Sequence, residues 1–386
     1  MEGTSSQGWT GLRANFATGE NPVHGLRSDN NLSILYYNAR SLLPKIDHLS
    51  ALCLASDPDI VCIVESWLCN EITDSEIALP GYSLVRLDRN RHGGGVLLYI
   101  KDVFTFNVVL SGPFDLELIF VSIKAFNNRN ICLGVFYRPP SAPVNIFDTL
   151  FDVLCSLSSS LFSNLILLGD FNVDMSSHSS LCNRVKHILD SFSLTQVVNE
   201  PTRFGHDGTA SLIDLVLMSN QLTLHQCGTI PPLADSDHLG ISLCIKSITH
   251  TPSTCSKRRV IWRYEHADFH RACEQLDELD LDSIFSDHSI DVCWDRWKTS
   301  FLSVMDTCIP KSTLPERKSV PWMTKAIVQA IKRRNYYYNK AKHSNHANYI
   351  NTYKHLRTKV ITMLCQSKCA FLIVLTQTRV ETLENG

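Results

Sequence analysis

The feature that most constrains this chain is an aliphatic run that stops on polar residues. Leu165-Ile166-Leu167-Leu168 reads as a strand buried on both faces, and Gly169-Asp170-Phe171-Asn172 follows at once. That sets a carboxylate and a carboxamide two residues apart at the end of a strand, the rim where sheet proteins place ligands and chemistry. In isolation the same residues equally open a turn, because short polar side chains mimic turn hydrogen bonds. The rest of the chain separates the two readings.

Similar endings recur. Asn38 follows the strand-like Leu32–Tyr37, and Glu65 follows Ile60–Val64. Tyr137 and Arg138 end Ile131–Tyr137, Asp214 interrupts Leu212–Val216, and Ser236-Asp237-His238 precedes Leu239–Ile245. Strands are also expected at 82–86 and 96–100, joined through Gly93-Gly94-Gly95, and at 117–124. Helical spacing marks 42–54, ended by Asp57-Pro58, and also 147–161 and 181–192. Frequent strands with two sets of flanking helices predict a two-sheet sandwich covered by helices.

Each polar residue also has a plain structural reading. Glu65 fits an ordinary loop acid, His238 a satisfied structural histidine and Tyr137 a core residue. Arg138 fits a strand terminator before Pro139-Pro140, and Thr202 a turn residue. Asp214 resists such a reading, since an unpaired buried carboxylate costs several kcal/mol, about 2–7 for polar groups in general. It needs a partner, and a histidine is the natural one. The group as a whole calls for a metal, a phosphate or mutual pairing.

Composition narrows the class. With 386 residues, 44% hydrophobic, the chain can bury one large domain and a smaller one. A formal net charge of -2 selects no partner. The 14 cysteines include no C-x-x-C pair, and Cys365 and Cys369 lack a second ligand pair, so reduced thiols in a reducing compartment are expected. No secretory signal is visible. No apolar run reaches the roughly 18 residues that span a bilayer, Phe371–Leu375 being far too short, so no membrane partner is expected.

Residues 1–31 are expected to be disordered, 32–246 to form the sandwich, 247–258 (with Thr251-Pro252-Ser253-Thr254) to be a linker, and 259–386 to form a helical segment. Residues 265–306 are acidic. From 311 to 359 there are twelve Lys or Arg against Glu316 alone, with Tyr336-Tyr337-Tyr338 inside the block. This block reads either as a solvated helix face around a tyrosine core stripe or as a surface for nucleic acid, with tyrosines stacking on bases. Lys332-Arg333-Arg334 is a short, non-specific nuclear-signal candidate.

Six motifs occur in order: N-x-R-S at 38–41, V-x-x-V-E-S-W-L at 61–68, Y-R-P-P at 137–140, L-G-D-F-N at 168–172, P-T-R-x-G at 201–205 with I-D-L-V at 213–216, and S-D-H at 236–238. Over residues 32–246 this order resembles the endonuclease/exonuclease/phosphatase superfamily. The E-S-W-L, Y-R-P-P and S-D-H forms resemble the apurinic-type endonuclease of LINE-type, non-LTR retrotransposons, jockey and chicken-repeat groups in particular. The resemblance implies an α+β fold, a four-layer α/β/β/α sandwich followed by a helical C-terminal segment. It also implies Mg (Mn as a substitute) and DNA as substrate, nicked for target-primed reverse transcription.

By the same resemblance, Glu65 binds the metal, with Asn38 and Asp237 near it. Asp170 positions or deprotonates water and Asn172 orients it, Tyr137 touches the scissile phosphate, and Asp214 pairs with the catalytic His238. Ser236, Thr202 and Arg138 contact the substrate. Arg40 stands where some superfamily members carry an acid, which shifts more of the metal onto Glu65. In that family a reverse transcriptase follows, so 259–386 is expected to be the connecting segment of a truncated element or a fragmentary gene product, with element RNA a partner of its basic helices. A nuclear location follows from the substrate alone, otherwise a cytoplasmic one. Two alternatives stay open: a phosphatase or RNA phosphodiesterase of the same fold, and a decayed product that only binds nucleic acid.

Overall fold

Alternation in the first strand sets the layering. The computed structural model describes residues 31–113, 116–124, 130–205, 209–246, 259–286, 289–314, 321–344 and 346–384. Segment 1–30 and the expected linker at 247–258 lie outside them. In β1 (Asn31–Asn38), Ile34 and Tyr36 face one core while Leu35 and Tyr37 face another, as the two-residue period of a strand requires.

The first sheet has the order β13-β14-β1-β2-β4-β3, with β2 (Ile60–Val64), β3 (Tyr82–Leu87), β4 (Val96–Lys101), β13 (Leu224–Ile230) and β14 (Gly240–Lys246). The second has the order β5-β6-β7-β8-β12-β9, with β5 (Phe106–Ser111), β6 (Glu117–Lys124), β7 (Asn130–Tyr137), β8 (Leu165–Asp170), β9 (Leu194–Gln196) and β12 (Asp214–Ser219). A small ribbon pairs β10 (Arg203–Phe204) with β11 (Ala210–Ser211). One core lies between the sheets, where Val64, Val96 and Ile241 meet Val135, Leu168 and Val216. The outer face of the second sheet is covered by α3 (Ile146–Ser156) and α5 (Ser180–Ser191), through Phe147, Leu150, Val185 and Ile188. The outer face of the first sheet is covered by α1 (Ile46–Ser56) and by two C-terminal helices, α9 (Lys325–Ser344) and α10 (Ala347–Glu384). The result is the expected α/β/β/α sandwich with helices after it.

Two parallel crossovers aim the site. β1 runs parallel to β2 through α1, pairing Asn38 with Val64. β7 runs parallel to β8 through α3 and the short α4 (Ser159–Phe162), pairing Tyr137 with Asp170. Parallel neighbours end on the same edge, so Asn38, Glu65, Tyr137 and Asp170 reach one rim. β12 runs antiparallel to β8 and begins there, with Asp214 opposite Asp170. β14 runs antiparallel to β1 and begins just after His238.

Several expectations shift. The helix predicted over 147–161 breaks, because Leu157 is extended and the chain restarts at α4. A second short helix, α2 (Asp74–Ile77), is held by a capping box between Thr73 and Glu76. The segment 259–386 divides. Residues 318–386 belong to the same compact unit as the sandwich, whereas 255–317 form a second unit. In that second unit, β15 (Arg259–Trp262) pairs with β16 (Lys311–Leu314), and α6 (Phe269–Asp277) packs on α8 (Ile290–Cys308) through Ala272, Val304 and Cys308, with α7 (Leu281–Ile284) between them in sequence. The described cysteines are free thiols, Cys365 and Cys369 among them and exposed.

The expectation about apolar length is corrected by α10. One described stretch, Ala347–Gln377, is long and apolar enough to cross a membrane by length and composition. Polar residues interrupt its apolar ones too often to register as a run, yet few of them are charged. Its first half buries Tyr353, Leu356, Val360 and Leu364 against the unit, while Leu372–Leu375 are exposed.

Candidate active site

Asp170 closes β8 fully buried. Its Oδ1 accepts from the Asn172 backbone N–H at 2.9 Å, and its Oδ2 accepts from Asn38 Nδ2 at 3.0 Å. The chain can turn there because Gly169 has no side chain: a Cβ would sit 1.7 Å from the Phe136 carbonyl oxygen. Asn172 then takes the left-handed conformation, φ 48°, that asparagine tolerates.

Asn38 links the two sheets. Its amide also donates to Glu65 Oε1 at 3.2 Å, so one carboxamide joins carboxylates from different layers. Glu65 Oε2 accepts from Trp67 Nε1 at 3.1 Å, and Tyr137 bonds to Glu65 as well. Burial, reinforced by Glu65, raises the Tyr137 pKa, so its hydroxyl stays a donor.

Asp214 finds the partner the sequence demanded. Its Oδ2 lies 2.9 Å from His238 Nδ1, and its Oδ1 accepts from Tyr36 at 2.6 Å. Burial disfavours a charged His238, but Asp214 outweighs it together with Asp170 and Asp237, and the imidazole pKa is raised to about 9. Asp170 is raised to about 8, first by burial and then by the Asp214 charge across the ladder. With Nδ1 held by Asp214, Nε2 is the ring nitrogen left to meet a substrate.

Three expected substrate contacts turn inward instead. Arg138 is buried, donates through Nη2 to the Ala142 carbonyl at 2.7 Å and stacks on Phe147, while Asn172 Nδ2 donates to the Arg138 carbonyl at 2.7 Å. It braces the Asp170–Asn172 turn, because Pro139-Pro140 fold the chain back over it. Thr202 Oγ1 accepts from the backbone N–H groups of Ile213 and Asp214 and so fixes the start of β12. Ser236 Oγ donates to the Asn38 carbonyl at 2.9 Å and accepts from the His238 N–H, joining two rim loops. Asp237 is held by arginine on both oxygens, Oδ1 by Arg40 at 2.9 Å and Oδ2 by Arg203 at 3.1 Å. Burial works against its charge, but the Arg40 hydrogen bond and the nearby His238 hold its pKa down. That double pairing suits an anchor better than an open metal ligand.

Sequence reasoning missed Trp67, Arg89 and Glu117. Glu117 stands opposite Tyr137 in the ladder, accepts from Arg89 Nη1 at 2.6 Å and from the Gly95 N–H, and Arg89 lies over the Tyr137 ring. A Cβ on Gly94 would meet Glu117 and Arg89 within 2.6 Å, so the Gly-Gly-Gly segment admits this pair; that was the available signal. Among the described residues, six of the eight non-glycine residues with positive φ lie in the rim loops: Arg40, Ser41, Glu65, Trp67, Asn172 and Ala234. Such strain collects where function holds it in place.

As to a cation, Asp170, Asp214 and His238 each bring a ligand atom within 4.8 Å of the others. His238 and Asp214 already bond to each other, so that trio suits proton handling. The carboxylate oxygens of Glu65 and Asp170, gathered around the Asn38 amide nitrogen, fit a hard divalent ion better, whereas the Asn38 side-chain oxygen accepts from the Arg40 N–H.

Two packed sheets flanked by helices, with acids and a paired histidine on one rim, define an α/β/β/α sandwich with a polar site at its strand ends. The chain belongs to the Endonuclease/Exonuclease/phosphatase family, whose profile matches residues 35–238, more than half of its length. Members of that family hydrolyse phosphodiesters or phosphate monoesters. The endonuclease domain of TRAS1, a telomere-specific non-LTR retrotransposon, is similar at 15% identity and TM-score 0.46, over 56% of this chain and 99% of that one. The AP endonuclease LMAP from Leishmania major is similar at 14% identity and TM-score 0.49, over 64% and 100%. An AP endonuclease from Archaeoglobus fulgidus is similar at 18% identity and TM-score 0.43, over 55% and 98%. Among curated proteins none matches.

Proposed function

We propose that this chain is a Mg-dependent DNA endonuclease that nicks one strand by attack of water on a phosphodiester. The observation that carries the reading is the meeting of Asn38, Glu65, Asp170, Asp214 and His238, from both sheets, on one rim. Glu65, with Asp170 beside it and the Asn38 amide bridging the two, would hold the cation, which when bound supplies charge neutralisation for the phosphate. Asp170 receives the proton of the attacking water, held in place by Asn172 and Asn38. Charged His238, oriented by Asp214, offers its Nε2 proton to the phosphate oxygens, and Tyr137 donates its hydroxyl to the same group.

The six ordered motifs support a non-LTR retrotransposon origin, in which the 3′-hydroxyl at the nick primes reverse transcription. A nuclear location follows from that substrate. The exposed face of α9, with Lys332, Arg333 and Lys340 beside Tyr336 and Tyr337, would serve element RNA.

The test is incubation of purified protein with supercoiled plasmid and Mg²⁺. Relaxed circles are expected from the wild type, and Asp170→Ala and His238→Ala are each expected to lose at least about 100-fold in rate. No nicking, or nicking undiminished in both variants, overturns the reading. Phosphate release from small esters in its place would move the chain to the phosphatase branch.

A further inference from the structure

The basic C-terminal helices do more than cover a sheet. Arg357 of α10 donates through Nε and Nη2 to one backbone oxygen, the carbonyl of Ala234, at 2.9 and 2.5 Å. Ala234 is an alanine in the left-handed region, φ 51°, two residues before Ser236 and four before His238. On the far side of His238, Leu239 packs against Tyr338 of α9 and Tyr353 of α10. Lys342 of α9 pairs with Glu200 at 2.6 Å, two residues before Thr202, which fixes the start of β12 and hence Asp214. Helix α1, which follows the rim loop after Asn38, is gripped as well. Arg334, wholly buried in α9, donates to His48 Nε2 at 3.0 Å, and Lys368 pairs with Asp47 at 2.5 Å. Burial and Arg334 lower the His48 pKa to about 3, so it stays a neutral acceptor.

We infer that α9 and α10 form a positioning element of the active site, in which Arg357 holds the Ser236-Asp237-His238 loop in its strained conformation. The inference rests on the hydrolytic reading of the rim. A fork of two N–H groups on one carbonyl fixes that peptide plane in direction as well as distance. Alanine adopts positive φ only when its surroundings enforce it: the Leu233–Ser236 turn at 3.1 Å and the Lys45–Asp235 pair shape the loop from within the sandwich, and Arg357 fixes the Ala234 carbonyl from α10. When the fork is removed, the loop relaxes toward ordinary backbone and Nε2 of His238 leaves its place on the rim. Arg357 touches no reacting atom and acts through Ala234.

The experiment uses the full chain with Arg357→Met and Arg357→Met/Ala234→Gly, glycine being at ease at that φ. Amide hydrogen exchange read by mass spectrometry should show residues 231–239 exchanging at least about tenfold faster in Arg357→Met. Plasmid nicking should fall about tenfold in kcat, with KM for DNA within about twofold. The double variant should regain most of the lost kcat without regaining thermal stability, which a merely stabilising arginine would not allow. Unchanged exchange at 231–239 in folded Arg357→Met overturns the inference. Should that variant not fold, Lys342→Met is read in the same way at 198–204. Exchange does not depend on catalysis, so a wild type that fails to nick counts against the hydrolytic reading alone.

Discussion

Asp170 and His238 both bind protons more tightly in the folded site than as free side chains, with values near 8 and 9. Proton acceptance by Asp170 needs its carboxylate, and donation by His238 needs its imidazolium. The rate should therefore rise with pH toward about 8 and fall above about 9, as a bell. A bound cation should carry the acid limb to lower pH, and His238→Gln should abolish the alkaline limb; kcat profiles at several Mg²⁺ concentrations check both. Stability follows the same two groups in metal-free protein. His238 favours the folded state fully below its unfolded value of about 6.5, and that contribution is lost as pH rises to about 9. Asp170, also raised, loses its contribution between about 4 and 8, so the two add. Melting in EDTA should thus occur at lower temperature at pH 9 than at pH 6.5, and His238→Gln should shrink the difference. A melting temperature that rises over this interval would refute the paired assignment.

At the scale of elements, β8 and its turn carry the most sequence-legible part of the protein. The aliphatic run, the glycine and the two polar residues that follow are each needed where they stand. Gly169→Ala should destabilise the fold by about 3–5 kcal/mol, because its Cβ meets a strand carbonyl that cannot move without breaking the β7–β8 ladder. Urea unfolding measures this; a change under about 1 kcal/mol would contradict it. The central strands could be read from the sequence because both their faces are buried, which forces aliphatic residues. β5 and β13 could not: each is an edge strand, where exposed Asn107 and Ser111, or exposed His225 at an irregularity in the β13 register, dilute the apolar pattern. Arg334 was illegible for the opposite reason. It sits in a basic run that reads as solvated, and only its neighbours His48 and Asn335 reveal it as buried. Likewise, the inward turn of Arg138 and Ser236 depends on contacts made from more than thirty residues away, Arg138 with Asn172 and Ser236 with Asn38, and on the local fold-back at Ala142, while Thr202 turns in to the start of β12 eleven and twelve residues on.

For the whole molecule, residues 318–386 and the sandwich form one compact unit, and they should unfold together. Tyr353→Ala empties a fully buried site between α9, α10 and Leu239 and should cost about 3–5 kcal/mol, shifting one transition rather than splitting it. Circular dichroism and tryptophan fluorescence followed through urea would reveal two steps if the helices unfolded alone. The bridging role of Asn38 has a kinetic counterpart. Its amide joins Glu65 of one sheet to Asp170 of the other, and Tyr36 reaches across to Asp214 in the same way. Neither sheet by itself holds a complete set of reactive groups. During refolding, each sheet can assemble its own ladders while the chain is still inert, and competence for hydrolysis arrives only when the two layers dock. Backbone signals should then recover before nicking activity does, and the interval between them times the closing of the central core.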